Sequence, residues 1–249
     1  MSYLRPSKID GAKHAWAILS LLVKRLRQTW PTVRIILRAD SGFCRHRMLR
    51  WCERHGVGYI VGLARNRRLG YLIEEEFACV EKRFKETGEK QRAFCDIRYG
   101  AKSWGRQRAV IAKLEVTDKG RNPRFVVTNL NGDAQALYDQ IYCARGDMEN
   151  RIKKQQLDLF ADRTSTHRWE ANQFRLLLSS LAYVLIESIR RLGLADTELA
   201  NAQVGTIRLK LLKIGTVILR NIRRIRFLLS SAFPYQTIFL TAAQRLAPG

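Results

Sequence analysis

The first quarter of the chain alternates helix-like and strand-like hydrophobic patterns. Apolar residues recur every three or four positions from Ala12 to Leu26 and stop at Pro31, which predicts an amphipathic helix. A β-branched run at 33–38 predicts a strand that ends just before Asp40. The carboxyl ends of strands are where open α/β sheets bind their ligands, so Asp40 is a candidate site residue.

The same alternation continues after Asp40. A short helix over 45–55 is expected to end at Gly56, a natural left-handed cap, and a strand over 57–63 follows. The order helix, strand, helix, strand is typical of a parallel α/β sheet.

The middle of the chain changes to strand-like patterns. A helix from Leu69 to Phe84 is expected to end at Gly88. Three strand patterns follow, separated by glycines and by the turn at 118–120. They cover residues 93–99, 108–116 and 125–128. We therefore predict a mostly β insertion.

Helical periodicity then returns. Asp133 or Asn131 can cap a long helix whose apolar stripe runs from Leu137 to Ile152. A second helix over 169–192 is rich in Leu and Ala, so we expect it to be buried.

The last part of the chain alternates apolar and basic residues. We interpret residues 207–211 and 217–229 as a basic strand pair. Together the patterns predict four segments, 1–66, 67–130, 131–195 and 196–249.

The net charge of the chain limits the kinds of partner that it is expected to bind. The chain carries 45 Lys and Arg against 22 Asp and Glu, a net charge of +23, which favours a polyanionic partner. Nucleic acid is favoured over a membrane surface, because neither terminus carries a basic amphipathic helix or a lipidation signal. No apolar stretch reaches the roughly 18 residues of a membrane span, so we expect no membrane partner and a cytoplasmic location.

The five cysteines are scattered without a CxxC pair, which indicates reduced thiols whose simplest role is to be buried as small apolar side chains. Cys44, His46, Cys52 and His55 superficially suggest zinc. On a helix, however, Cys44 and Cys52 would lie about 12 Å apart, at ~1.5 Å per residue, which is too far for one tetrahedral ion.

Three polar residues of the long helix share one face. Tyr142, Arg145 and Glu149 are spaced by three and four positions, and Lys153 lies one turn further on. An ordinary solvated face has the same spacing, and spacing alone favours that interpretation.

A resemblance to a known family favours a functional role for these residues over an ordinary solvated face. Residues 142–152, with Tyr142, Arg145 and Glu149, resemble the Y-R-E signature of bacterial insertion-sequence transposases of the DDE superfamily. Residues 38–43 resemble the segment around the second catalytic Asp of these proteins. Further similar segments follow the family order and extend the likeness over nearly the whole chain. They are residues 61–66, 156–165 and 211–215.

The resemblance implies a fold and a site. It implies an α/β fold with a ribonuclease-H-like core, incomplete because its first strands are missing, and a β insertion between the second Asp and the Glu. Asp40 would be the second and Glu149 the third carboxylate that holds Mg²⁺ or Mn²⁺ for phosphoryl transfer on DNA. DNA contacts would come from seven other residues, namely Tyr142, Arg145, Asn150, Lys153, Lys154, Arg220 and Arg224.

Two departures from the family pattern are expected to matter. Gln156 occupies the position of the signature lysine, whose role Lys153 or Lys154 could take. The first Asp has no counterpart, because Asp10 lies in a loop segment. We therefore expect an amino-terminally truncated transposase that is inactive alone, exposes a sheet edge and is poorly soluble.

Partners and alternatives follow from this interpretation. The expected partners are terminal inverted repeats and target DNA, bound by a homodimer in a synaptic complex in the bacterial nucleoid. One alternative is a non-enzymatic DNA-binding remnant that interferes with intact transposase. A basic RNA-associated protein would explain the charge but not the ordered motifs.

Overall fold

The computed structural model describes residues 2–6 and 8–247. The chain forms two compact units. We call residues 6–147 the sheet unit, and residues 1–5 together with 148–249 the helical unit. The predicted division into four segments stays a prediction.

The sheet unit follows the predicted element order with shifted boundaries. Up to residue 136 its described elements are α1 (Ala15–Thr29), β1 (Ile36–Ala39), the 3₁₀ turn Ser41–Phe43, α2 (His46–Arg54), β2 (Gly58–Leu63), α3 (Arg67–Tyr71), α4 (Glu74–Thr87), β3 (Gln91–Tyr99), β4 (Arg108–Thr117), β5 (Gly120–Arg121), β6 (Arg124–Thr128) and α5 (Ala134–Ala136). Gly56 and Gly88 take the predicted left-handed conformation, with φ of 60° and 69°. The helix predicted over 69–84 is broken between α3 and α4.

One mixed sheet holds all these strands. Its order is β1-β2-β6-β4-β3, and β5 pairs with β4. Among the strands of the described residues, only β1 and β2 are parallel, with Ile36 opposite Gly58 and Ala39 opposite Val61. The parallel arrangement predicted for the two strands of the first alternation is confirmed, and the remaining strand pairs of the sheet are antiparallel. The reason is connectivity: β3 and β4 are joined by a short loop, which can only produce antiparallel neighbours, and the strands predicted as an insertion extend the same sheet.

Both faces of the sheet are covered. Leu49, Phe77 and Leu114 belong to the larger apolar cluster, which α1, α2 and α4 help to build. Ile60, Ile111 and Val126 belong to a second cluster together with Tyr138. Because strand residues alternate between faces, β4 contributes to both clusters, and its apolar residues are nearly all buried. By contrast, β1 lies at the sheet edge with β2 as its strand neighbour.

The helical segment after the sheet is irregular. Asp133, one of the two predicted caps, accepts a hydrogen bond from the Ala136 amide at 2.8 Å. The backbone then passes from α5 through a π-helical stretch (Leu137–Tyr142) and a 3₁₀ turn (Cys143–Arg145) into α6 (Gly146–Asp158). The predicted long helix therefore exists as a continuous helical path, but its pitch changes three times.

The helical unit corrects two expectations. Its remaining helices are α7 (Trp169–Ser188), α8 (Val204–Ile207) and α9 (Gln236–Leu246), with π turns at Ile189–Gly193 and Arg208–Leu212. The segment 207–211 is thus helical, not a strand. Ile207 and Leu211, four residues apart, are buried, while Leu209 between them is exposed. The apolar and basic residues alternate over five positions, as in a strand, but the buried positions follow the period of a helix.

The helix α7 is not buried as expected. A stripe of six apolar side chains on it is about half exposed, namely Phe174, Leu177, Leu178, Leu181, Val184 and Leu185. Composition predicted burial, but the core of this unit takes little from α7 besides Ile186 and Tyr183. No helix of the described residues is both long and apolar enough to cross a membrane.

The carboxyl-terminal strand pair forms within residues 216–229 alone, without the helical segment 207–211 that was predicted to be part of it. Strands β7 (Thr216–Arg220) and β8 (Ile225–Leu229) make an antiparallel hairpin, with Ile218 opposite Phe227. All ten of its strand residues are exposed. Apolar residues occupy its base, and four arginines occupy the turn and the strand ends next to it, namely Arg220, Arg223, Arg224 and Arg226.

Candidate functional site

Asp40 lies where the pattern predicted, directly after β1. Its Oδ1 accepts a hydrogen bond from the Gly42 amide at 2.9 Å, which caps the 3₁₀ turn Ser41–Phe43. This bond holds the carboxylate at the end of the strand and uses Oδ1, so Oδ2 can interact with other groups. The side chain is half exposed, so solvent or a ligand can reach it.

Arg145 and Tyr142 meet Asp40 from the irregular helical segment. The Nη1 atom of Arg145 lies 3.8 Å from Oδ2 of Asp40, an ion pair too long for a hydrogen bond. The guanidinium carbon of Arg145 lies 6.0 Å from the centre of the Tyr142 ring. Arg38 of β1 donates to the Ile141 carbonyl at 3.2 Å and ties this segment to the sheet. We call Asp40, Tyr142 and Arg145 the Asp40 cluster.

Gly62 makes room for this cluster. A Cβ atom on Gly62 would lie 2.8 Å from the Tyr142 hydroxyl oxygen and 2.9 Å from the Ser41 amide nitrogen. The Tyr142 hydroxyl therefore rests on β2 beside the backbone of residues 40 and 41. Sequence reasoning gave Gly62 no role of its own, although a glycine inside a strand signals close approach of another group.

The surroundings of Tyr142 keep its hydroxyl protonated. Burial raises the pKa of Tyr142, the nearby Arg145 charge opposes the shift, and the negative charge of Asp40 adds to it. A protonated phenol next to a guanidinium supplies hydrogen-bond donors, and both groups suit an anionic ligand.

Glu149 belongs to the other unit. It is exposed on α6, within the helical unit, whereas Asp40 lies in the sheet unit. The prediction that Tyr142, Arg145 and Glu149 lie on one regular α-helix is wrong, while their sharing of one face stays a prediction. Only Glu149 lies in regular α-helix, because the segment is π-helical up to Tyr142 and 3₁₀ at Arg145, and these turns rotate successive side chains by different angles.

The other predicted DNA-contacting residues lie in the helical unit. Asn150 and Lys153 are exposed on α6, and Lys154 is half-buried there. Arg220 and Arg224 are exposed at the end of the hairpin. The side chain of Asn221 fixes the hairpin turn, because its Oδ1 accepts hydrogen bonds from the Arg223 and Arg224 amides at 3.0 and 2.7 Å.

The donor set of the Asp40 cluster does not by itself fit a divalent cation. Mg²⁺ and Mn²⁺ prefer several oxygen ligands, and the cluster offers one carboxylate with a guanidinium 3.8 Å from its Oδ2. Across residues 2–6 and 8–247, no three His, Cys, Asp or Glu side chains are grouped so that they could hold a metal ion.

The cysteines are less uniformly buried than expected. Cys52 is fully buried, and burial raises its pKa to about 12 and that of Cys44 to about 11. Cys79 and Cys143 are exposed. The expectation of five buried thiols is therefore wrong for these two.

Comparison with known proteins assigns the family. A family model described as transposase DDE domain group 1 matches residues 1–248. A search of curated proteins gives no match. The family match spans both units and includes Asp40, Arg145 and Glu149, and it shows that the chain belongs to the DDE transposase family, domain group 1.

Proposed function

We propose that this chain is a bacterial insertion-sequence transposase that engages DNA phosphates at the Asp40 cluster. The observation that carries the proposal is the 3.8 Å approach of Arg145 to Asp40 at a strand end, in a chain of a family that acts on DNA. Asp40 and Glu149 are the carboxylates we assign to catalysis and metal binding, in a ribonuclease-H-like core.

Arg145 and Tyr142 would hold the phosphate. Arginine presents a fork of donors that matches phosphate oxygens, and charge-assisted hydrogen bonds of this kind are the strong ones. Tyr142 keeps its proton, since burial raises its pKa, and can donate to another phosphate oxygen. In this arrangement Asp40 orients Arg145, and the Gly42 amide orients Asp40.

DDE transposases generally use divalent metal ions, and we propose Mg²⁺ or Mn²⁺ for this chain. The Asp40 cluster has a single carboxylate and an adjacent guanidinium, so it would need oxygen ligands from outside the cluster to hold such an ion. We propose that the 249-residue chain is inactive alone. Incubation with supercoiled DNA and Mn²⁺ is expected to leave the plasmid intact, and robust nicking that disappears in Asp40→Asn would contradict this.

The substrate and assembly complete the proposal. We propose terminal inverted repeats and target DNA as the partners, a homodimer as the acting form, and a location on the bacterial nucleoid. The half-exposed apolar stripe of α7 supports a protein partner, because exposed apolar patches of this kind mark interaction surfaces.

The second candidate function is non-enzymatic DNA binding. It is favoured by the hairpin, where Arg220 and Arg224 are exposed and no acidic residue follows Glu198 in the sequence. Phosphate contacts from such a surface would provide affinity without chemistry. In this case the Asp40 cluster would contribute nothing to DNA binding.

One binding experiment separates the two candidates. The affinity of a labelled duplex is measured at fixed salt for Arg145→Gln, for Arg220→Gln/Arg224→Gln, and for the matched control Arg83→Gln, an exposed residue of α4. We expect Arg145→Gln to weaken binding by about tenfold, the range of a hydrogen bond to a charged group, and Arg83→Gln to change it little. If Arg145→Gln binds the duplex as tightly as the control while the hairpin variant loses affinity, non-enzymatic DNA binding replaces our proposal.

A further inference from the structure

A second basic site lies in the sheet unit, apart from the Asp40 cluster. An open cleft of about 450 Å³ is lined by α2 and by the chain that leads into β4. We call it the Arg108 cleft. Its charged and polar lining residues are His46, Arg50, Glu53, Arg54, Arg106 and Arg108.

The single acid of the cleft is already saturated. Arg108 donates to Glu53 from Nε at 2.7 Å and from Nη2 at 3.1 Å. The Tyr59 hydroxyl donates to the same carboxylate at 2.8 Å, and Arg106 pairs with it at 3.0 Å. These partners lower the pKa of Glu53 against the opposing effect of burial. The carboxylate therefore serves to fix two arginines and leaves a net positive charge.

Two buried nitrogen atoms of the lining lack a partner. Nη1 of Arg108 and Nδ1 of His46 are buried without a hydrogen bond among the described residues. The Arg108 side chain is 3% exposed, and its guanidinium lies 5.0 Å from the Trp104 ring, which offers no oxygen acceptor. Unsatisfied buried polar groups are rare and costly. Both residues line the same cleft, and the Nη1 donor of Arg108, which can only donate, is left without an acceptor there.

The remaining arginines are arranged to share an anion. Arg50 and Arg54 are four residues apart on α2, so they project from one face and repel each other. Both are exposed and line the cleft. A bound anion would remove this repulsion and supply acceptors. Guanidinium groups match the tetrahedral oxygens of phosphate with forked hydrogen bonds.

We infer that the Arg108 cleft binds a phosphate group, with Arg108 fixed at depth and Arg50 and Arg54 closing over the anion. A phosphodiester of the DNA backbone and a free phosphate present the same chemistry. This inference does not depend on the Asp40 cluster, since the cleft would bind phosphate whether or not Arg145 contacts DNA.

The test uses the full chain and inorganic phosphate. Titration calorimetry at constant ionic strength compares the unaltered protein with Arg50→Gln/Arg54→Gln. Lys82→Gln/Arg83→Gln on α4 is the control, because it removes the same charge from exposed positions of the same unit. We expect saturable binding that weakens by about tenfold or more in the cleft variant and changes little in the control. Circular dichroism confirms that both variants are folded.

A second arm identifies the source of the phosphate. Duplex affinity is measured over a range of salt for the same three proteins. If the cleft binds the DNA backbone, the slope of log affinity against log salt falls by about one per lost contact in the cleft variant but not in the control. If the two variants match in DNA binding and differ only with inorganic phosphate, the ligand is a free phosphate. Identical behaviour of both variants in both arms would overturn the inference.

Discussion

The strand β4 and the hairpin β7–β8 have similar compositions and opposite environments. Both combine runs of apolar residues with a few charged ones, yet β4 is buried along most of its length and every strand residue of the hairpin is exposed. The exposure differs because the neighbouring elements differ: β3 and β6 flank β4, and apolar clusters cover both its faces. Within the part of the chain that the structure describes, the strands of the hairpin pair with each other alone. Isolated two-stranded hairpins are marginal in water, so this one gains little stability from burial.

The charged groups of the two regions differ in the same way. In β4, Glu115 is buried and pairs with Lys90 and Lys113, and Arg108 is buried against Glu53. In the hairpin, the arginines are exposed and the last acidic residue of the sequence is Glu198. The charges of β4 are thus paired within the fold, whereas those of the hairpin are exposed to a ligand.

Apolar truncation should show the largest contrast. Leu114→Ala in β4 removes a fully buried side chain and is expected to lower the free energy of unfolding by about 2–5 kcal/mol. Leu219→Ala in β7 removes a half-exposed side chain and should cost less than about 1 kcal/mol. Urea unfolding measures both, and equal losses would show that the hairpin is part of a cooperative core.

Gly62→Ala should have the next largest effect. The added Cβ would meet the Tyr142 hydroxyl and the Ser41 amide at under 3 Å, and the strain is expected to cost about 1–3 kcal/mol. Gly70→Ala in α3 is the control, because nothing lies within 4 Å of its Cβ position and alanine favours a helix. Adding Tyr142→Phe to Gly62→Ala should recover only part of the loss, since the Ser41 contact remains. Full recovery would contradict this geometry.

Acid should destabilise the β4 region through Glu115. A hydrogen bond from Lys90, and then those from Lys113 and Asn122, lower the pKa of Glu115 to about 2 against the effect of burial. In the unfolded chain a glutamate titrates near pH ~4.3. The ionised group therefore stabilises the fold above that value, and this stabilisation is lost as the pH falls towards 2.

The variant Glu115→Gln tests this pH dependence. It should flatten the decline of unfolding free energy between pH ~5 and ~2. Glu86→Gln, at an exposed position of α4, should leave the decline unchanged. An equal slope in the unaltered protein and in Glu115→Gln would show that Glu115 gains no net stability from its partners.

The smallest stability effect is expected in the hairpin. Arg220→Gln/Arg224→Gln should change the unfolding free energy by less than about 0.5 kcal/mol, because both side chains are exposed. The slope of log DNA affinity against log salt should nevertheless fall by about two. Arg220→Lys/Arg224→Lys keeps both charges and should retain the slope. If Arg220→Gln/Arg224→Gln lowered the unfolding free energy and left the salt slope of DNA affinity unchanged, the hairpin arginines would serve the fold and not DNA binding.

Local patterns determined much of the fold. The apolar period predicted α1 and α2, the β-branched runs predicted β1, β2 and β6, and the glycine caps fell at Gly56 and Gly88 as expected. They also placed Asp40 directly after a strand. These features depend on propensity and periodicity, which act over a few residues. The ordered motifs pointed to the DDE transposase family that the match over residues 1–248 shows.

Only the tertiary structure decided how these pieces combine. Sequence spacing put Tyr142, Arg145 and Glu149 on one regular helix, but packing against the sheet and the Arg38 contact accompany a π-helical stretch there. Burial also depends on neighbours: the apolar stripe of Leu-rich α7 is half exposed, while Arg108 and Glu115 are buried beside the largely buried partners Glu53 and Lys113. The approach of Arg145 to Asp40 joins residues 105 positions apart in the chain, a contact between distant segments that no local pattern encodes.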